Sequence, residues 1–89
     1  MRRVWKVKIT ALKQKQDVVV PSGAEFLCAK EQDGEMQLWF KCDDDAEQSV
    51  RTIVVVGTGH DIPDGNLRYV DTVLTFGGSL VWHVFERRW

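Results

Sequence analysis

The sequence predicts an all-β domain, either a small antiparallel sandwich or a partly open barrel of about seven short strands. Apolar residues recur with a period of two rather than 3.6 along nearly the whole chain. Turn-forming residues interrupt those runs at a spacing of roughly 8–13 residues. Two hairpins are nearly explicit, at Asp33-Gly34 and at Gly77-Gly78.

Taken in order, Trp5, Val7 and Ile9 alternate with Lys6, Lys8 and Thr10, so the first strand turns its tryptophan inward. Asp17 to Val20 is a short β-branched run stopped by Pro21-Ser22-Gly23. Glu25 to Lys30 resumes the β pattern with Phe26, Leu27 and Cys28. After the Asp33-Gly34 turn, Met36, Leu38, Phe40 and Cys42 line one face, and Gln37, Trp39 and Lys41 the other. Ser49 to Val56 is the next strand, and its run Ile53-Val54-Val55-Val56 predicts burial on both faces. A long connection from Gly57 to about Leu67 is rich in turn formers. Arg68 to Phe76 and Leu80 to Glu86 close the set around the second hairpin. In the last strand Trp82 shares a phase with Leu80 and Val84, while His83 shares the other with Val81 and Phe85. Both faces are therefore largely apolar, which predicts a central strand or one covered by another subunit.

With 89 residues the chain is read as a single domain spanning residues 1–89. Such a domain buries about 60% of the surface its unfolded form exposes, a modest core. The longest apolar run is far short of the ~20 residues that cross a bilayer, and the N-terminal residues lack the apolar core of a secretory leader. The expectation is a cytoplasmic protein with no membrane partner. Two cysteines, Cys28 and Cys42, are too few for a disulfide scaffold. They are expected as buried free thiols, with a bridge between neighbouring strands left open. A net charge of −1 argues against nucleic acid as partner. The charge is segregated. Arg2, Arg3, Lys6, Lys8, Lys13 and Lys15 precede any acid, and residues 25–48 are strongly acidic. Those halves attract within one fold, or one copy's basic arm meets another's acidic segment.

No residue set takes catalytic or metal-binding roles by spacing. The cysteines and histidines, at 28, 42, 60 and 83, contain no zinc half-site. The Asp43-Asp44-Asp45 run lacks the alternating ligands of a calcium loop. Without a nucleophile elbow, a P-loop lysine or a paired-carboxylate cleft, the expectation is a non-enzyme with no cofactor. The leading site is Gly57-Thr58-Gly59-His60. Successive backbone N–H groups in a glycine turn can cradle an anion, Thr58 adds a hydroxyl, and His60 adds a ring. Arg51 and Arg68 on the flanking strands are candidate phosphate partners. The alternative is a purely structural turn. Trp39, on the polar phase of its strand, is a candidate for an interface or a ligand ring; a one-residue register slip would instead bury it.

A whole-chain resemblance adds to these readings. The segments Pro21-Ser22-Gly23-Ala24-Glu25-Phe26-Leu27, Gln37-Leu38-Trp39, Gly57-Thr58-Gly59-His60-Asp61-Ile62-Pro63 and Leu80-Val81-Trp82-His83-Val84-Phe85-Glu86, with Tyr69, Thr72 and Gly78, carry it. The chain resembles a group of short phage-encoded β-domain proteins of unknown function, for which no catalytic residue is established. The resemblance implies a phage accessory protein acting in the host cytoplasm, of the kind that often opposes host defence. One strategy open to so small a chain is to form a homo-oligomer, dimer or higher, and sequester a nucleotide-derived immune signal as a sponge. The alternatives are a module that binds a host protein and a minor structural component of the particle. The small domain, its tryptophans and the apolar faces of its last strand also favour self-association. Its terminal Arg87-Arg88-Trp89 either packs across such an interface or frays.

Overall fold

The computed structural model describes residues 1–88; Trp89, and with it the reading of the terminal tryptophan, lies outside the described residues. The strands are β1 (Arg2–Ile9), β2 (Lys15–Pro21), β3 (Glu25–Gln32), β4 (Glu35–Asp43), β5 (Gln48–Gly57), β6 (Asn66–Thr75) and β7 (Leu80–Arg88). They build two antiparallel sheets, ordered β1-β4-β3 and β2-β5-β7-β6, that face each other as an open sandwich and do not close into a barrel. Among the described residues no helix is long and apolar enough to cross a membrane.

The period-two pattern explains the core. Leu38 and Phe40 of β4 face Val18 and Val20 of β2, Ile53 and Val55 of β5, and Val84 of β7 across the intersheet space. Burying each such side chain stabilises the fold by roughly 1.5–3 kcal/mol. Met36 and Cys42 are buried in the phase expected. Strand β7 is central in its sheet, between β5 and β6; its inner phase enters the core at Val84, and its outer phase carries Val81, His83 and Phe85, each half-buried. Val54 and Val56, on the outer phase of β5, are buried as well. The chain after β5 folds back over this face, where Gln14 Nε2 donates to the Asp61 carbonyl. Gln32 pairs with Glu35 across Asp33-Gly34, whose positive φ values of 52° and 80° suit a two-residue primed turn. The second hairpin is longer: Thr75 pairs with Leu80 across a short 3₁₀ turn at Phe76–Gly78.

The basic first strand and the acidic segment meet within one chain. β1 pairs with β4, Arg3 hydrogen-bonds to Asp44, Lys8 pairs with Glu35 at 2.9 Å, and the α-amino group donates to Asp43 and Asp45. The bonds to Asp45 and Asp43 hold the ammonium pKa up at about 11, and the Asp45 backbone N–H, followed by the ammonium, holds the Asp43 carboxyl low.

Two expectations fail for stated reasons. Trp5 is on the inner phase, opposite Phe40, yet it is 51% exposed, because β1 is an edge strand and the facing sheet does not cover it. Cys28 is only half-buried, because a β-bulge at Leu27 shifts the register between Phe26 and Cys28. The bulge turns Cys28 to the outer face beside Trp39, while Cys42 points into the core, so both thiols are free.

Candidate ligand-binding site

The Gly57–His60 segment leaves the end of β5 and turns at once, with the His60 N–H donating to the Gly57 carbonyl at 3.0 Å. Gly57 is needed for close approach. A Cβ there would lie 3.0 Å from His60 Nδ1 and 3.2 Å from the Trp82 ring, both tighter than side chains ordinarily accept. Gly59 is needed for conformation, since its φ is +89°. The same turn removes the anion nest expected from sequence. The Thr58 N–H is spent on the Val81 carbonyl at 3.1 Å, and the His60 N–H on Gly57. The loop therefore offers side chains rather than a row of backbone donors.

Those side chains join residues that sequence reasoning did not pick. Thr58 Oγ1 lies 2.8 Å from His83 Nε2. His83 Nδ1 lies 3.2 Å from Thr72 Oγ1, and Thr72 Oγ1 lies 2.7 Å from Tyr69 Oη. This is one continuous chain of four polar side chains on the outer face of the β2-β5-β7-β6 sheet. It can run in either sense. With Nδ1 protonated, Thr58 donates to Nε2 and the Tyr69 hydroxyl is left to donate outward. With Nε2 protonated, Tyr69 donates to Thr72, Thr72 to Nδ1, Nε2–H to Thr58, and Thr58 onward to the Val81 carbonyl at 3.4 Å. Beside the chain lies an open cavity of about 340 Å³. Val56, Phe85 and Ile62 give it apolar walls, and His60 and Tyr69 give it ring faces. Tyr69 and Phe85 pack edge to face with centroids 5.9 Å apart.

A second β-bulge assembles this arrangement. Tyr69 pairs with Phe85 and Thr72 with His83, with the register shift at Val70 between them. Residues three apart in a regular strand point to opposite faces. The extra residue puts both hydroxyls on the same face. The clue available in sequence was the phase that His83 shares with Phe85; the bulge left none.

The other expected partners are placed elsewhere. Trp39 is half-buried on the outer face of the opposite sheet, with the Lys6 ammonium 6.0 Å from its ring centroid. Its strand phase is the one expected, but the thickness of the sandwich separates it from the Gly57–His60 loop. Arg51 precedes Gly57 by six positions along β5, about 20 Å at 3.3–3.4 Å per residue. It points inward, donating to Glu86 and to the Ala24 carbonyl at 2.9 Å. Arg68 pairs across β6–β7 with Glu86 at that same distant end. The structure thus brings Thr58 and His60 together with His83, Thr72 and Tyr69, and brings Arg51 together with Arg68. It does not unite the two groups within one chain.

The three aspartates at 43–45 gather their carboxylate oxygens within 4.8 Å of one another. The α-amino group and Arg3 already form ion pairs with them.

Residues 1–89 match the family described as a domain of unknown function, DUF7352, and the chain belongs to that family. No curated protein and no solved structure matches the chain.

Proposed function

We propose that this DUF7352 domain is a non-enzymatic binding protein. It holds the base of a nucleotide-derived small molecule in the cavity beside the Thr58–His83–Thr72–Tyr69 chain. The observation that carries this reading is that hydrogen-bonded chain along an apolar-walled, ring-faced cavity. A heteroaromatic base has two apolar faces and an edge of mixed donors and acceptors. The ring faces suit the former, and a hydroxyl–imidazole chain that can reverse its sense suits the latter.

The same geometry favours binding over catalysis. Thr58 and His83 stand as a nucleophile and its base would. The third member, however, is the Thr72 hydroxyl, which gives an imidazolium no countercharge. The backbone N–H groups of Thr58 and His60, the nearest candidates for an oxyanion site, are bonded within the protein. On the resemblance to phage-encoded proteins, the ligand is a host immune signal and the protein a sponge in the host cytoplasm. A sponge acts stoichiometrically, so it needs a dissociation constant near the nanomolar range, about −12 kcal/mol. We further propose a homo-oligomer, in which Trp39, on the outer face of the opposite sheet, meets this cavity across a contact between copies.

Isothermal titration with a panel of cyclic dinucleotides and ADP-ribose derivatives tests the reading. Saturable binding is expected, with the ligand recovered intact after denaturation and affinity lost in Thr58→Val and His83→Phe. Absence of heat across the panel, or recovery of a chemically altered ligand, overturns it.

A further inference from the structure

At the far end of the sandwich, away from the cavity just described, an open cleft of about 480 Å³ lies between the β2–β3 turn and the ends of β5, β6 and β7. Its lining residues include Arg51, Arg68, Arg87 and Arg88 together with Glu25 and Glu86. Glu25 is already paired with Lys41 at 3.2 Å. The cleft is thus locally cationic on a protein whose formal net charge is −1.

Its parts are differently committed. Arg51 is a fixed pillar. It donates to Glu86 Oε2 and to the Ala24 carbonyl, and its guanidinium lies 4.8 Å from the centroid of the Phe26 ring. Arg68 is exposed, and its guanidinium makes no hydrogen bond or ion pair among the described residues. Glu86 is 3% exposed. Its Oε2 is taken by Arg51, but its Oε1 accepts no hydrogen bond; Arg88 Nε stands 3.8 Å away. A buried carboxylate oxygen without a donor is costly, and Glu86 is among the residues that line the cleft.

We propose that this cleft binds a phosphate monoester that carries a hydroxyl or amino group next to its phosphate. Arg68, with Arg88 beside it, receives the anionic oxygens, for which a guanidinium fork is well shaped. The adjoining hydroxyl or amino group donates to Glu86 Oε1. One site then satisfies a cation cluster and an orphaned acceptor with a single small molecule. A bare anion would answer only the first need and would be repelled by Glu86. The site is independent of the Thr58–His83 cavity, so either can fail without the other.

The test is titration of the intact chain with two probes, glycerol 3-phosphate and methyl phosphate, followed by calorimetry or phosphorus NMR. Glycerol 3-phosphate should bind saturably and more tightly than methyl phosphate, which has the same charge but no hydroxyl. Arg68→Ala, at an exposed position, should fold normally and weaken glycerol 3-phosphate by about tenfold or more, the usual size of a charge-assisted bond. Arg68→Lys should recover part of that loss, and Thr58→Val should change nothing. Equal affinity for the two probes, an unaffected Arg68→Ala, or no saturable binding of either probe overturns the proposal. Binding of glycerol 3-phosphate that fails in Thr58→Val would place it in the other cavity and overturn this site.

Discussion

At the scale of single residues, the hydroxyl of Thr58 is the smallest group on which the proposed binding depends. Valine matches threonine in shape but leaves His83 Nε2 without its partner at 2.8 Å. Thr58→Val should therefore weaken ligand binding by about 1–3 kcal/mol, roughly a five- to 150-fold rise in dissociation constant read by calorimetry. The two glycines beside it should separate shape from conformation. A methyl at Gly57 meets the His60 ring and Trp82 at 3.0–3.2 Å, so Gly57→Ala displaces a cavity wall and should cut affinity. A methyl at Gly59 meets nothing within 4 Å, but the φ of +89° is unfavourable for it. Gly59→Ala should then lower stability by about 1–2 kcal/mol in urea denaturation, while the surviving folded protein binds nearly as before. Equal effects of the two substitutions on affinity would mean that the loop's conformation matters and the His60 position does not.

At the scale of elements, strand β6 does the most with the least regular geometry. Its bulge at Val70 turns Tyr69 and Thr72 outward, and it also places Asp71 where it can reach across the open edge to β3. Asp71 Oδ2 accepts from the Ala29 N–H at 3.0 Å and from Lys30 Nζ at 2.9 Å. Burial works against the charged carboxylate, but the Lys30 bond and the Ala29 and Thr72 N–H groups outweigh it and hold its pKa below the usual range. The clamp's contribution is thus full above the unfolded carboxyl value of about 3.9 and fades as pH falls toward the lower folded value. Asp71→Ala should cost about 2 kcal/mol at neutral pH, and Asp71→Asn should flatten the acid limb of stability measured between about pH 5 and 2. A variant whose acid limb runs parallel to that of the parent would show that the clamp contributes nothing. The strands themselves, the Asp33-Gly34 turn and the central place of β7 were legible because period two and turn chemistry are local signals. The bulges at Leu27 and Val70 were not, since each adds a residue that reads as ordinary alternation until its partner strand is known. Missing them hid the outward turn of Cys28 and the whole Tyr69–Thr72 side of the cavity.

At the scale of the molecule, charge and apolar surface make different demands. Part of the segregated charge visible in the sequence is paired between β1 and β4, through Arg3–Asp44 and Lys8–Glu35. The two most exposed large apolar side chains among the described residues sit at one end of the sandwich. Leu12 is 95% exposed and Phe76 is 76% exposed. Both flank an open groove of about 670 Å³ that reaches Ile9, Met36 and Trp82. Phe76 holds a φ of 53°, a left-handed conformation that bulky residues seldom adopt. Strain of that kind persists where the surroundings impose it, and at an exposed hairpin tip little in the chain itself repays it. If copies associate through this end, the contact is hydrophobic and should survive high salt, whereas an arm-to-acid contact would dissociate as ions screen it. Native mass spectrometry and light scattering should accordingly give a mass above the monomer at both low and high ionic strength. Leu12→Asp should reduce that mass to the monomer. Phe76→Asn should do the same while raising monomer stability by about 1 kcal/mol through relief of the left-handed strain. A parent protein that is monomeric at binding concentrations, or an oligomer that salt takes apart, would remove this end as the contact. A monomer that still binds nucleotide tightly would further show that the Thr58–His83 cavity is complete within a single chain.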